Sequence, residues 1–272
     1  MTRSMSARPL AVLLFVALLP VARLRAQEAQ SPFVHAHAHN DYEHPRPLSD
    51  ALDHRFYSVE ADIWLVEGRI LVAHDEGEWK GTLKDLYLDP LQARVREKGS
   101  VHGDGNPFLL WIDLKDGRPE LNQELEDLLA QYPMLTVFTD EEMLEGPVTA
   151  ILTGDAESKT RHVAQFPKRR VCRDGTYSAE DSPADNRWRW VALRWGSFFD
   201  WRGEGEIPPE EHAKLTALVN DIHAKGRKLR FWGNPDKESY WRLALATGID
   251  LINTDRLAEL ETFLAAKAAN RP

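Results

Sequence analysis

The sequence predicts a single-domain α/β fold, as a (β/α)8 TIM barrel or a doubly wound open sheet, on three observations. Strand-like runs alternate with amphipathic helix-like stretches along most of the chain. Roughly 245 residues follow a leader-like N-terminus, close to the usual size of one α/β barrel. No internal repeat, low-complexity tract or second apolar span interrupts the pattern.

The elements are justified in chain order. Arg3 and Arg8 precede an uncharged apolar run, 10–19, too short to span a bilayer as a helix. Pro20 and a segment ending in Ala26 follow, the layout of a secretory signal peptide over 1–26. That reading sends the body, 27–272, to the periplasm or the exterior; an uncleaved anchor is the alternative. Strands are expected over 33–39 and 57–64, the second followed by a Glu67–Gly68 turn and a return run, 69–73. Further strands are expected over 108–115, 134–138, 148–152, 190–195, 228–232 and 250–254. Helices are expected over 48–55, 83–98, 119–131, 208–225, 237–247 and 257–267, with Gly226 and Gly248 as stop signals. The segment 153–189 is polar and ambiguous.

The single cysteine, Cys172, rules out an intrachain disulfide, so packing alone holds the core. The net charge is −9, and loss of Arg3, Arg8, Arg23 and Arg25 with the leader takes it to about −13. Such a body is a poor partner for nucleic acid, and an anionic substrate would require a cation in the site.

Glu60-Ala61-Asp62 is the most informative triplet. Residues two apart on a strand share a face, so both carboxylates aim the same way and repel unless a hard cation lies between them. Acids flanking a strand end are also common without a function. Asp113 and Lys115 close an otherwise apolar strand and share a face in turn; an ordinary solvated ion pair is the plain alternative. His39 and His74 each end an apolar strand-like run, where barrel active sites form, and imidazole serves as acid or base near neutral pH.

These residues carry a resemblance. His39-Asn40-Asp41-Tyr42, the 59–65 run around Glu60 and Asp62, Ala73-His74-Asp75 and Ile112-Asp113-Leu114-Lys115 resemble the phospholipase C-like phosphodiesterase superfamily. The opening HNDY, the LYLDPL of 86–91, and the late LRFWGNPD and INTD at 229–236 and 252–255 are similar to proteins of the altered-inheritance-of-mitochondria protein 6 type. The resemblance spans about residues 35 to 256 and implies the (β/α)8 barrel over the open sheet. It implies Glu60, Asp62 and Asp113 as metal ligands, His39 and His74 as the acid/base pair, and Lys115 as a phosphate contact. Asn40 stands where calcium-using phospholipases C place a ligand Asn and glycerophosphodiesterases carry Arg-Gly; Asp113 replaces a commoner Glu.

A rival reading uses His35-Ala36-His37 and the following His39 as an H-x-H zinc pair of amidohydrolase type, with Asp255 as a further ligand. It lacks histidines on the middle strands. Trp195 and Trp232 end strands and are expected as pocket walls, while Arg194 and Arg230 are placed outward and given no role. The aromatic-dense 188–201 stretch would suit peripheral contact with a lipid surface, though such runs are more often core. Asn253 and Asp255 share a face and are expected to orient a substrate hydroxyl or a histidine. The expectation is therefore a phosphoric diester hydrolase with one divalent cation, Ca²⁺ or Mg²⁺. It would act on a small-molecule or phospholipid phosphodiester, with no nucleic acid and no obligate protein partner. A barrel that binds without turnover is the other class.

Overall fold

The computed structural model describes residues 31–269, which pack as one compact unit. The expected signal peptide lies outside the described residues. Twelve strands form in chain order among them: β1 (Ala36–Ala38), β2 (Ser58–Val66), β3 (Arg69–Val72), β4 (Gly81–Thr82), β5 (Phe108–Leu114), β6 (Val137–Phe138), β7 (Met143–Leu144), β8 (Val148–Gly154), β9 (Val171–Gly175), β10 (Trp188–Arg194), β11 (Lys228–Trp232) and β12 (Ile252–Thr254). The helices are α1 (Ser49–Asp53), α2 (Asp89–Lys98), α3 (Pro119–Leu129), α4 (Ala156–Gln165), α5 (Pro209–Ala224), α6 (Glu238–Thr247) and α7 (Leu257–Ala269). None of these helices is long and apolar enough to cross a membrane.

The fold is mixed α/β with a largely parallel central sheet. Its strand order is β11-β10-β9-β8-β5-β2-β1-β12, with every neighbouring pair on that path parallel. The antiparallel β3 and β4 hang from β2 as a hairpin extension. A parallel bridge between Arg230 and Leu251, with Asp250 N–H donating to Leu229 O at 3.1 Å, links β11 to the residues just before β12.

Strand alternation divides the apolar residues into two compartments. Leu110 and Ile112 of β5 join the large core between sheet and helices. Trp111 instead joins Phe138, Ile151, Cys172, Trp190 and Leu251 in a second cluster, to which β5, β8, β9 and β10 all contribute. The sheet is thus covered on both faces, as parallel strands require. On the helical side, α3 buries Leu121, Leu125 and Leu129 at a four-residue spacing, the inward stripe of an amphipathic helix. Gly248, at φ 84°, ends α6 in the left-handed conformation that glycine adopts without strain.

Two expectations are corrected here. The 134–138 run is no strand of the main sheet: β6 pairs with β7 in a separate antiparallel ribbon, and only Leu135 bridges Val148. Its strong β-propensity is satisfied locally, and Phe138 enters the second apolar cluster. The missing sheet strand is β9, inside the ambiguous segment, where Arg173 and Asp174 hid it. Asp174 is buried there because Lys159 of α4 and the Thr153 hydroxyl bond its two oxygens, at 2.5 and 2.7 Å. The expected 83–98 helix is broken into a wide turn, Lys84–Leu88, followed by α2.

Candidate active site

Asp62 and Asp113 are register partners across the β2–β5 pair, and Glu60 faces the same side two residues earlier. One ligand atom from each of the three lies within 4.8 Å of the others. Glu60 and Asp62 are buried, at 3% and 0% exposure. Each acid keeps one buried oxygen without a hydrogen-bond partner among the described residues: Glu60 Oε2, Asp62 Oδ1 and Asp113 Oδ1. Buried, unpartnered anionic oxygens are costly, and a hard cation is the chemistry that satisfies three of them at once.

Charge crowding is visible in the protonation equilibria. Burial, then the Asp62 and Glu60 charges, push Asp113 up to about 7 against the pull of Lys115. Asp62 is also raised, by burial and Glu60. Glu60 goes the other way: burial alone would raise it, but Arg230 and His37 outweigh that and hold it well below the usual carboxylate range.

Arg230 is the residue that sequence reasoning misplaced. It is 2% exposed and donates from Nη2 to Glu60 Oε1 at 2.7 Å, with its guanidinium 4.0 Å from the centre of the Trp111 ring. Its Nη1 contacts His37 Nε2 at 2.9 Å and Asn253 Oδ1 at 3.2 Å. The signal was available: Lys228, Arg230 and Trp232 alternate on β11, so an inward Trp232 carries Arg230 inward with it. Because arginine only donates, His37 Nε2 accepts and its Nδ1 donates to Ser58 Oγ at 2.7 Å. Burial pulls His37 down to about 4, consistent with that neutral form. Both ring nitrogens are engaged and His35 Nδ1 lies on Asp250 O at 2.9 Å, so the H-x-H zinc pair has no free nitrogen on His37.

The two outer histidines are each backed by a carboxylate. His39 Nδ1 bonds Asp255 Oδ1 at 2.9 Å, while its Nε2 is 4.0 Å from Glu60 Oε2. Burial opposes the charged imidazole, but Asp255 and Glu60 prevail and raise its pKa. His74 is placed by the β2–β3 hairpin: Ala73 N–H donates to Asp62 O, and the next side chain puts Nδ1 3.1 Å from Asp62 Oδ2. The Tyr42 hydroxyl lies 3.4 Å from the same nitrogen.

The HNDY loop is latched from below. Asp41 is fully buried and accepts from Leu48 N–H at 2.5 Å and from the Tyr87 hydroxyl at 2.9 Å. That second bond ties the HNDY motif to the LYLDPL motif. Burial pushes Asp41 up to about 6. Asn40 takes a left-handed φ of 43°, and its side chain bonds no described residue.

The remaining expected site residues divide. Lys115 spans Asp62 Oδ2 at 2.9 Å and Asp113 Oδ2 at 3.3 Å. Asn253 faces Arg230 and Asp255 faces His39, so both contact side chains of the site. Trp232 is 43% exposed at the end of β11, beneath the Arg194 guanidinium 5.7 Å away, so Arg194 joins it on that face. Trp195 is no pocket wall. It is completely buried against Phe199, Phe231 and Tyr240, because the residue after Arg194 turns to the helical side. A separate cleft of about 440 Å³ opens near the strand starts, lined by Pro107, Leu109, Thr149, Cys172, Arg189 and Lys228. It contains none of the acidic trio.

The parallel-sheet α/β fold thus gathers three acids and two histidines that each contact a carboxylate. Comparison with known proteins gives the family. A family model described as an AIM6-like phosphodiesterase domain matches residues 28–107. Altered inheritance of mitochondria protein 6 of Saccharomyces cerevisiae (strain YJM789) is 31% identical over 269 residues, covering 81% of this chain and 68% of that protein. The Eremothecium gossypii protein of the same name is 27% identical over 84% of this chain and 68% of its own, and the Lachancea thermotolerans one 29% over 82% and 64%. The chain belongs to the altered inheritance of mitochondria protein 6 family and spans about two thirds of the length of these relatives. Among solved structures, phosphoribosyl anthranilate isomerase from Thermus thermophilus aligns over 87% of this chain and 100% of its own, at a TM-score of 0.42 and 13% identity.

Proposed function

We propose that this protein is a metal-dependent phosphoric diester hydrolase of phospholipase C-like type, built on a (β/α)8 barrel. The carrying observation is the acidic trio with an unpartnered buried oxygen on each member, set between His39 and His74. The barrel reading rests on the eight parallel strands and on the Arg230–Leu251 bridge between the two ends of their path. Glu60, Asp62 and Asp113 would hold one divalent cation, Mg²⁺ or Ca²⁺, with Asn40 as the further ligand that the resemblance implies. Such an ion supplies positive charge to a non-bridging phosphate oxygen as charge gathers in the transition state.

The chain's own groups do the rest. Lys115 offers a second cationic contact to the phosphate. His39 keeps its proton to higher pH through Asp255 and is suited to protonate the departing oxygen. His74 takes the proton from the attacking hydroxyl. Attack by water breaks the phosphorus–oxygen bond to the leaving alcohol and gives an open phosphomonoester; attack by a neighbouring substrate hydroxyl gives a cyclic phosphate. The substrate is a small or phospholipid-derived phosphodiester rather than nucleic acid, since a net charge of −9 repels a polyanion. Trp232 is the exposed aromatic wall for its organic part, and no obligate protein partner is proposed. Export to the periplasm or exterior is proposed from the 1–26 leader pattern alone.

The test is a panel of glycerol, inositol and choline phosphodiesters assayed with Mg²⁺, Ca²⁺ or EDTA, comparing wild type with His74→Ala and Glu60→Ala. Cation-dependent release of phosphomonoester or cyclic phosphate, lost in both variants, is the expected result. Turnover that survives chelation and both substitutions sinks the reading. Stabilisation by cation without turnover on any diester would make the protein a binding barrel.

A further inference from the structure

The geometry points to Arg230 as the residue that selects the cation: it makes Glu60 a one-oxygen ligand and thereby favours Mg²⁺ over Ca²⁺. This rests on the cation reading of the acidic trio. Calcium takes six to eight oxygens and readily accepts both oxygens of a carboxylate, whereas magnesium takes a compact octahedron from single oxygens and keeps several waters. A carboxylate whose second oxygen is permanently engaged serves the smaller ion.

That engagement is firm for Glu60. Oε1 accepts from Arg230 at 2.7 Å, and Oε2 is the oxygen left without a partner. Arg230 cannot easily turn away. Its other terminal nitrogen is held by His37 and Asn253, its plane rests against Trp111, and the side chain is 2% exposed. His37 is fixed in turn by Ser58, so the support beneath Glu60 runs through β1, β2, β11 and β12. Guanidinium also keeps its charge at any working pH, which an ammonium or imidazole in this position would not guarantee. Asp62 is restricted the same way on one side, since Oδ2 contacts Lys115 at 2.9 Å and His74 Nδ1 at 3.1 Å while Oδ1 has no partner. Lys115 also contacts Asp113 Oδ2 at 3.3 Å while Oδ1 has no partner, so all three acids present single oxygens, which is few for calcium and sufficient for magnesium with its waters. Arg230 is a positioning residue: it acts on the ion through Glu60.

The experiment follows thermal unfolding of the EDTA-stripped protein while MgCl₂ or CaCl₂ is titrated in, and reads the concentration of each salt that gives half the maximal rise in Tm. Wild type should reach its half-maximal rise at lower Mg²⁺ than Ca²⁺. Arg230→Met, which keeps the contact with Trp111 but frees Oε1, should move the preference toward Ca²⁺ by roughly tenfold or more, the usual scale for outer-shell partners. Lys115→Met, at a partly exposed position that tolerates substitution better, should move it the same way by freeing Asp113 Oδ2 and removing one of the two contacts on Asp62 Oδ2. A wild type that prefers Ca²⁺, or a ratio unchanged in Arg230→Met, overturns the inference. If Arg230→Met does not fold under either salt, an unchanged ratio in Lys115→Met overturns it instead. A wild type indifferent to both salts removes the cation reading itself, and this proposal with it.

Discussion

Glu60 and Asp113 belong to one cluster yet answer to opposite forces. Asp113 is pushed up to about 7, so in the cation-free protein it retains a proton that its unfolded form would release near 3.8. A raised carboxyl stabilises fully below the unfolded value and loses that contribution as pH climbs through the folded one. Asp113→Asn should therefore be more stable than wild type above neutral pH in EDTA, by ~1–3 kcal/mol, and should gain less from added cation. Thermal melts across pH with and without Mg²⁺ check both. Glu60, held low by Arg230 against burial, stabilises above its ordinary value and loses that stabilisation as pH falls through the folded one. Glu60→Gln strands a buried guanidinium and should cost about 3–5 kcal/mol at neutral pH, measured by urea unfolding. Equal effects of the two substitutions would contradict this arrangement of charges.

At the scale of elements, the site depends on how segments lean on one another. The loop after β1 is held by the Asp41–Tyr87 hydrogen bond, so Tyr87→Phe should cost about 1 kcal/mol of stability. It should also weaken the cation response by loosening the segment that carries His39 and Tyr42. Gly154 ends β8 at φ 83°, where a Cβ would overlap Asp113 Oδ1 and the Leu114 backbone. Gly154→Ala should displace Asp113 and blunt cation-induced stabilisation, seen in the same titration. Much of this level was legible from sequence. The two-residue spacing in Glu60-Ala61-Asp62 fixed a shared face, and the apolar run closing in Asp113 marked its strand. Other parts were hidden for physical reasons. β9 carries Arg173 and Asp174, and nothing local tells that Lys159 and Thr153 will satisfy Asp174. The 134–138 run has the composition of a sheet strand, but its pairing is decided by the β7 partner and by Arg169. The face of Arg230 was readable from its alternation with Trp232, but its partners, Glu60, His37 and Asn253, are distant in the chain and were not.

At the scale of the whole molecule, the core is held by packing, with a single cysteine in the sequence. Cys172 lies fully buried, and burial pushes its thiol up to about 12. Cys172 borders the separate cleft but is itself fully buried, so it should label slowly in the native state and faster on unfolding, as thiol labelling followed by mass spectrometry checks. Fast native-state labelling, or a melting point that moves with reductant, would show that the second apolar cluster is looser than the structure has it. The architecture also sets when chemistry becomes available. His39 leaves the ribosome before the carboxylate that bonds it, which lies 216 positions further on, directly after β12, the strand that pairs with β1. A nascent or clipped chain lacking that strand has the acidic trio in its sequence but not Asp255, nor the Asn253 contact of Arg230. On the proposed function, a chain cut before β12 is therefore expected to be chemically silent.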